Sequence, residues 1–489
     1  MLFNSYEFLF AFLPCVLFLY FAFNRHSIVS LGKITLVAFS WFFYAWWNPI
    51  YLPLLIGSIA ANYSLSRLIT ACDKTQQKRR KRLMLTAVFL NIGGLAYFKY
   101  MDFFIANLNW LGTDIPLLHL ALPLAISFFS LQQIAYIVDT YRGIDCRGSF
   151  LDYCIFVSFF PQLIAGPIVH HREIIPQLRA EENRYLNYGN LSLGCFLFAI
   201  GLFKKVALAD TFAIWASNGF DIAQQLSLVE AWIVSYSYTF QLYFDFSGYS
   251  DMALGLALMF NIKLPQNFNS PYAATSIINL WQRWHMTLTR FINMYIFRPL
   301  LRALPRVNFG YGMVASFTAM MVAGVWHGAA WTFVAFGALQ GVAIVGNHIW
   351  RRLKIPMPAW LGWFLTFHFF SLSLVIFRAT QWDDAVKVYR GLLGMSGVEP
   401  WASFTKLYQG QPFWFFSYAD NLAEKNMLAT ITCATLIGFF IYHVARLPNS
   451  NTLADRFTTN GKYLGATVVM LLTAIMMLSN PSEFIYFQF

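Results

Sequence analysis

Apolar residues run almost unbroken for about 18–22 positions at a time, at 6–24, 28–47, 50–70, 83–100, 117–138, 331–350, 358–377, 428–445 and 463–480. At 1.5 Å per residue, each run is long enough to cross a hydrocarbon core of ~30 Å as a helix. Solid runs, without alternation of apolar and polar positions, argue against a β-barrel. The pattern predicts an all-α polytopic membrane protein. Residues 145–310 interrupt it, mixing apolar stretches with Lys204, Lys205, Arg283, Arg290, Arg298, Arg302 and Arg306. Segments of that kind are expected to be re-entrant or in-plane, a form tolerated only where protein or a water-filled cavity surrounds it. The ~20-residue rule predicts roughly 10–12 crossings plus such segments. No internal repeat and no linker is apparent, so residues 1–489 are expected to form a single membrane domain.

Composition agrees with this pattern: of 489 residues, 58% are hydrophobic and 11% charged. The net charge is +12, from 34 basic and 22 acidic residues. In a membrane chain this asymmetry reports topology before it reports any nucleic acid. The run "DKTQQKRRKR" (73–82) ends in five consecutive basic residues and is expected in the cytoplasm. The helix at 50–70 then ends inside, and the neutral turn "WNPI" (47–50) lies outside. "RRLK" (351–354) marks the cytoplasm again, which makes 379–427 the largest external loop and puts both termini outside. The first apolar run follows "MLFNSYE", with no basic n-region and no small-residue cleavage site, so it reads as a retained helix. The six cysteines form no CxxC pair and no metal-ligand spacing, and read as small apolar filler.

Against this background a few polar residues stand out. From the basic residues Arg302 and Arg306, the run "YGMVASFTAMMVAGV" (311–325) rises ~22 Å at 1.5 Å per residue. It delivers His327 into the outer half of the bilayer, beside Trp326 and flanked by Gly324 and Gly328. An ionisable residue at such depth is costly, which makes function the first hypothesis. The competing reading is a histidine bonded to a carbonyl at a glycine-lined packing seam. The glycines allow a backbone or a substrate to approach closely. His285, in "NLWQRWHMTLTRF", is bracketed by Arg283 and Arg290; it reads equally as an interfacial anchor or a site residue. Asp245 and Asp251 are six apart and would face different directions on one helix. A break in the helix, a cap, or a salt bridge to Arg or Lys suits them better than a paired-carboxylate site. His368, in "LTFHFF", reads as a core histidine bonded to a nearby carbonyl. No Ser or Cys stands beside His327 as a nucleophile, which suits a general base acting on a hydroxyl better than a Ser-His-Asp hydrolase. HExxH, P-loop and GxGxxG motifs are absent.

Several long motifs carry a resemblance. "LFNSYEFLFAFLP", "FYAWWNP", "FPQLIAGPI", "QLYFDFSGYSDMALGLALMF", "NFNSPY", "WQRWH", "GVWHGAAWTF" and "FIYFQF" together resemble the membrane-bound O-acyltransferase superfamily. More narrowly they are similar to its bacterial polysaccharide branch, typified by the alginate O-acetyltransferase membrane subunit. The resemblance spans essentially the whole chain. It implies a ring of tilted helices around a thin central region, with funnels from both faces meeting near an essential histidine. His327 matches that histidine, and His285 matches the second histidine of the bacterial branch. The implied donor is cytoplasmic acetyl-CoA, with no permanently bound cofactor or metal. The implied acceptor is a hydroxyl of an extracytoplasmic polysaccharide, reached directly or through a periplasmic acyltransferase or esterase-like partner. The implied location is the bacterial inner membrane, among its lipids. The resemblance also suggests CoA phosphates as partners for Lys204, Lys205, Arg283 and Arg290, and structural or channel-lining roles for Asp245, Asp251, Trp326 and Gly328. One stretch departs from the branch: "FINMYIFRPLLRALP" (291–305) has Asn293 and Met294 where an Arg-Asp pair is usual, and Leu300–Leu301 where glycine is common. A transporter or flippase for a lipid-linked glycan stays open as the alternative, although only one polar break, at 245–251, points that way.

Overall fold

The computed structural model describes residues 1–26, 28–73, 75–144, 148–305, 308–398, 422–444, 446, 448–478 and 484–485. Cys146, Arg306, most of "FIYFQF" and the aromatic stretch "PFWFFSY" (412–418) lie outside them. Two compact units interleave along the chain. One comprises Met1–Phe203, Gly248–Asn267 and Ala454–Phe489; the other comprises Lys204–Ser247 and Phe268–Leu453.

The elements follow the apolar runs closely. A wide turn at Phe8–Phe12 leads into α1 (Leu13–Arg25), followed by α2 (Val29–Ala45). The "WNPI" turn is capped by Asn48, whose side chain accepts the Ile50 N–H, and α3 (Leu52–Ala71) starts from it. The basic run opens α4 (Gln77–Leu95), with no acidic residue in its first turn. Cations are disfavoured at a helix N-terminus. Arg80 is accommodated by donating to the Tyr141 carbonyl at 3.0 Å. A π-type turn at Ala96–Tyr100 joins α4 to α5 (Met101–Trp110).

The run at 117–138 is not one helix: α6 (Ile126–Tyr141) begins only after Ala125, which sits in the left-handed region at φ 62°. Pro116 and Pro123 explain the correction, since proline lacks the N–H and pushes the preceding residue out of the α region. Asp102 satisfies part of the extended backbone, accepting the N–H groups of Leu118 (2.7 Å) and His119 (2.9 Å).

The ambiguous middle resolves into short pieces. These are α7 (Phe150–Ser158), α8 (Phe160–Leu163) and α9 (His171–Arg179), then the longer α10 (Tyr188–Phe203). A π-type turn at Lys204–Ala209 connects α10 to α11 (Asp210–Ser217). Next come α12 (Leu228–Met259), α13 (Ile277–Trp281), α14 (Met286–Ile292) and α15 (Arg298–Ala303). At 1.5 Å per residue, none of α7–α9 or α13–α15 can cross a ~30 Å core. The long helices α16 (Phe309–His327), α17 (Trp331–Leu353) and α18 (Ala359–Arg378) follow. The chain continues through α19 (Trp382–Leu392), α20 (Leu422–Val444), α21 (Ser450–Asp455) and α22 (Gly461–Met476). Seven helices among the described residues are long and apolar enough to span a membrane, with three shorter apolar helices beside them. The protein is an all-α, multi-pass membrane protein. α19 occupies part of the expected loop 379–427, held by Lys387, which donates to the Phe220 and Ala223 carbonyls.

In the first unit, α10 and the Gly248–Met259 part of α12 touch backbone to backbone. A Cβ on Gly255 would stand 2.5 Å from the Gly194 carbonyl oxygen, and one on Gly201 would stand 2.5 Å from that of Gly248. Small residues at such a seam let membrane helices gain van der Waals contact where no hydrophobic force between helices exists. Gly255→Leu is therefore expected to lower the thermal midpoint of the purified protein, overpacking costing ~1–3 kcal/mol. A midpoint equal to wild type would contradict the close crossing.

In the second unit, a similar seam joins α16 to α17, where a Cβ on Gly324 would stand 2.6 Å from the Gly337 Cα. Buried Gln340 of α17 ties two neighbours, accepting from the Trp281 indole at 3.2 Å and donating to Ser373 Oγ at 2.7 Å. That link fixes α13, and with it the turn that follows, against α17 and α18.

Candidate active site

The second unit builds the site from a strained turn and a helix end. Ser276 caps α13 by accepting the Asn279 N–H at 3.2 Å. α13 lasts one turn before the chain folds back. The return is pinned by the Asn269 N–H, which donates to the Arg283 carbonyl at 2.9 Å, and by the Arg283 guanidinium, which donates to the Asn269 carbonyl at 3.3 Å. Thr289 Oγ1 closes the turn on the Trp281 carbonyl at 3.1 Å. His285 stands at its tip with φ 44° and ψ 51°, as the residue before α14. The left-handed region costs an L-residue roughly 1–2 kcal/mol. Conformations of this kind persist where the surroundings over-determine them. Here the pinned turn does so.

The His285 ring is 1% exposed, and the edge of Phe246, from α12, meets it at a centroid distance of 4.7 Å. Burial first, and the charge of nearby His327 second, hold the His285 imidazole well below its ordinary pKa. It is neutral at pH 7.

His327 is the last residue of α16 and is 5% exposed. Its ring meets Phe377 of α18 at 5.2 Å and Trp326 at 5.1 Å. Trp326 in turn lies 6.4 Å from the His285 ring, so one indole contacts both imidazoles. Phe333 and Phe336 of α17 close around Phe377 at 5.2 and 4.9 Å. The Phe333 ring also fills the space beside Gly328, where a Cβ would collide with it. Both glycines flanking His327 thus serve helix and ring packing, the close approach of protein that the competing reading describes.

The remaining expected residues divide. Arg283 and Arg290 belong to the His285 turn and its helix, partly exposed. Lys204 and Lys205 lie in the π-type turn before α11. Lys205 is 2% exposed, with its ammonium 2.7 Å from Asp245 and 2.9 Å from Asp210. A cation held by two carboxylates is already neutralised, so this geometry gives it a structural partner in place of a CoA phosphate. Asp245 thus takes the salt-bridge role. The expected helix break does not occur: α12 runs continuously through both aspartates. Asp251 is buried on α12 within the first unit, while Asp245 falls in the second. His368 meets the Phe364 carbonyl through Nδ1 at 2.8 Å. The atypical residues Asn293 and Met294 open a second π-type turn, Asn293–Phe297, between α14 and α15. Among the described residues no group of three or more His, Cys, Asp or Glu could hold a metal ion.

Sequence reasoning missed Phe246, Phe377 and Gln340. No motif marks Phe377, one of many aromatics in an apolar span. Gln340, the lone amide in the apolar part of α17, was the available signal.

Residues 95–378, which hold both histidines, match the membrane-bound O-acyltransferase family. The chain belongs to that family. It is similar over its whole length, at 42% identity, to the "Peptidoglycan O-acetyltransferase" of Helicobacter pylori, covering 98% of that protein. It is 35% identical to the "Probable alginate O-acetylase AlgI" of Pseudomonas putida, with 100% of both chains covered. A protein of the same name from Pseudomonas syringae pv. tomato is 36% identical over 80% of this chain and 74% of its own. As a member of the membrane-bound O-acyltransferase family, the protein is an O-acyltransferase, and the resemblance read from its motifs holds.

Proposed function

We propose that this membrane O-acyltransferase moves an acetyl group from cytoplasmic acetyl-CoA toward a hydroxyl of peptidoglycan outside the inner membrane, directly or through a periplasmic acyltransferase or esterase-like partner. The observation that carries the reading is the burial of His285 and His327 around one indole at the end of a membrane-spanning helix. In this scheme His327 takes the proton of the acceptor hydroxyl as its oxygen attacks the thioester carbonyl. The C–S bond breaks, and the departing thiolate is reprotonated. The negative end of the α16 dipole accommodates the imidazolium formed in between. Neutral His285 keeps an N–H to donate toward the reacting groups. Arg283, Arg290 and Lys204 are the cations proposed to meet CoA phosphates, while Lys205 is engaged by Asp245 and Asp210.

The 42% full-length identity to a peptidoglycan enzyme, against 35–36% for the alginate ones, favours peptidoglycan as acceptor. Expression in a host whose own peptidoglycan acetylase is deleted is expected to restore base-labile acetate on muropeptides, read by mass spectrometry. Acetate appearing only on a secreted polysaccharide would overturn this acceptor.

The orientation follows from the basic runs, with both termini outside. A cysteine placed at Gln77 is expected to react with an impermeant thiol reagent only after permeabilisation. One at Gly410, outside the described residues, is expected to react in intact cells. The reverse pattern inverts the donor and acceptor faces.

A further inference from the structure

A groove in the second unit lies away from the two histidines. Two adjoining cavities, of about 240 and about 360 Å³, open between the basic end of α17, the start of α18 and the segment leading into α13. They share Thr275, Ser276, Asn347, Trp350 and Met357 in their walls. One is open and apolar, reaching Ile277, Leu365 and Phe369. The other carries two cations, Arg351 and Lys354. Among the described residues that line them, none is acidic. We propose that this groove binds one anionic phospholipid, its phosphate at Arg351 and Lys354 and an acyl chain along Ile277, Leu365 and Phe369.

Three features support that occupant. First, the two cations are placed together by the fold: Lys354 ends α17 in the left-handed region at φ 55°, and its N–H donates to the Arg351 carbonyl at 3.3 Å. Basic side chains near a membrane surface attract anionic headgroups, at about 1 kcal/mol each. Second, the outer walls are apolar and open: Trp350 is 38% exposed, Ile355 45% and Leu365 48%. Trp350 and the 69% exposed Trp360 are residues suited to the interfacial zone. A water-soluble phosphate ligand would leave that apolar surface uncovered, whereas an acyl chain covers it. Third, the wall is built closely: the Thr275 carbonyl rests against Gly362, where a Cβ would stand 2.5 Å away. The same segment runs through α13 to His285, so the lipid would brace the turn that carries that histidine.

Gly346 provides a clean test, because a Cβ there meets no atom of the described residues within 4 Å while the residue lines the groove. Gly346→Phe fills the apolar part without displacing a helix. The experiment is native mass spectrometry of the full-length protein, extracted in mild detergent and supplied with phosphatidylglycerol or phosphatidylcholine. Wild type is expected to retain phosphatidylglycerol in preference to phosphatidylcholine. Arg351→Gln and Lys354→Gln are each expected to weaken retention about fivefold. Gly346→Phe is expected to abolish it, with the lipid-free thermal midpoint unchanged. Equal retention of the two lipids, or undiminished phosphatidylglycerol binding in all three variants, overturns the proposal. Displacement of the bound lipid by acetyl-CoA also overturns it, by assigning the groove to the acyl donor.

Discussion

His327→Ala and His327→Gln lose acyl transfer by ~10²–10⁴-fold, the usual worth of a general base, while expression and membrane insertion stay at wild-type levels. The geometry supports both halves of that expectation. His327 ends α16 inside a shell of Trp326 and Phe377. The helix itself is held to α17 by the Gly324–Gly337 contact, which the substitution does not touch. Polymer acetylation in cells and thiol release from acetyl-CoA in reconstituted membranes measure the loss. A variant that keeps half of the wild-type rate removes His327 from the catalytic role. Glutamine separates the two readings of this residue. It can satisfy a packing hydrogen bond yet cannot act as a base, so a structural histidine would tolerate it.

Lys205→Met destabilises the protein by ~3–5 kcal/mol, the cost of stripping one partner from a buried ion pair. The substitution leaves Asp245, whose side chain is 3% exposed, as a buried carboxylate without its cation. Asp210 is 23% exposed and reaches water more easily. The double variant Lys205→Met with Asp245→Asn is therefore expected to recover most of the loss, since replacing both partners removes the uncompensated charge. Thermal unfolding in detergent reads both. A Lys205→Met protein with a wild-type midpoint and a raised KM for acetyl-CoA would return this lysine to the donor site.

The sequence by itself determined that this is a polytopic helical membrane protein, because the length and composition of an apolar run decide whether it can cross a bilayer whatever surrounds it. α3, α17 and α18 lie within a few residues of their runs for that reason. Buried histidines are costly in such a chain, so His327 and His285 were also visible as exceptions to the pattern. The run at 117–138 misled only where Pro116 and Pro123 override hydrophobicity. Tertiary structure alone decided what the charged and small residues do. Lys205 and Asp245 are 40 positions apart, and nothing local pairs them. Whether Lys205 meets a carboxylate or a phosphate depends on how the Lys204–Ala209 turn packs against α12. The glycines at 324 and 328 are compatible with an open pocket or with a close crossing, and only the positions of Phe333 and Gly337 choose the crossing. The left-handed backbone at His285 was equally invisible, because it is imposed by hydrogen bonds from Asn269 to the Arg283 carbonyl and from Thr289 to the Trp281 carbonyl, and not by the residue's own preference.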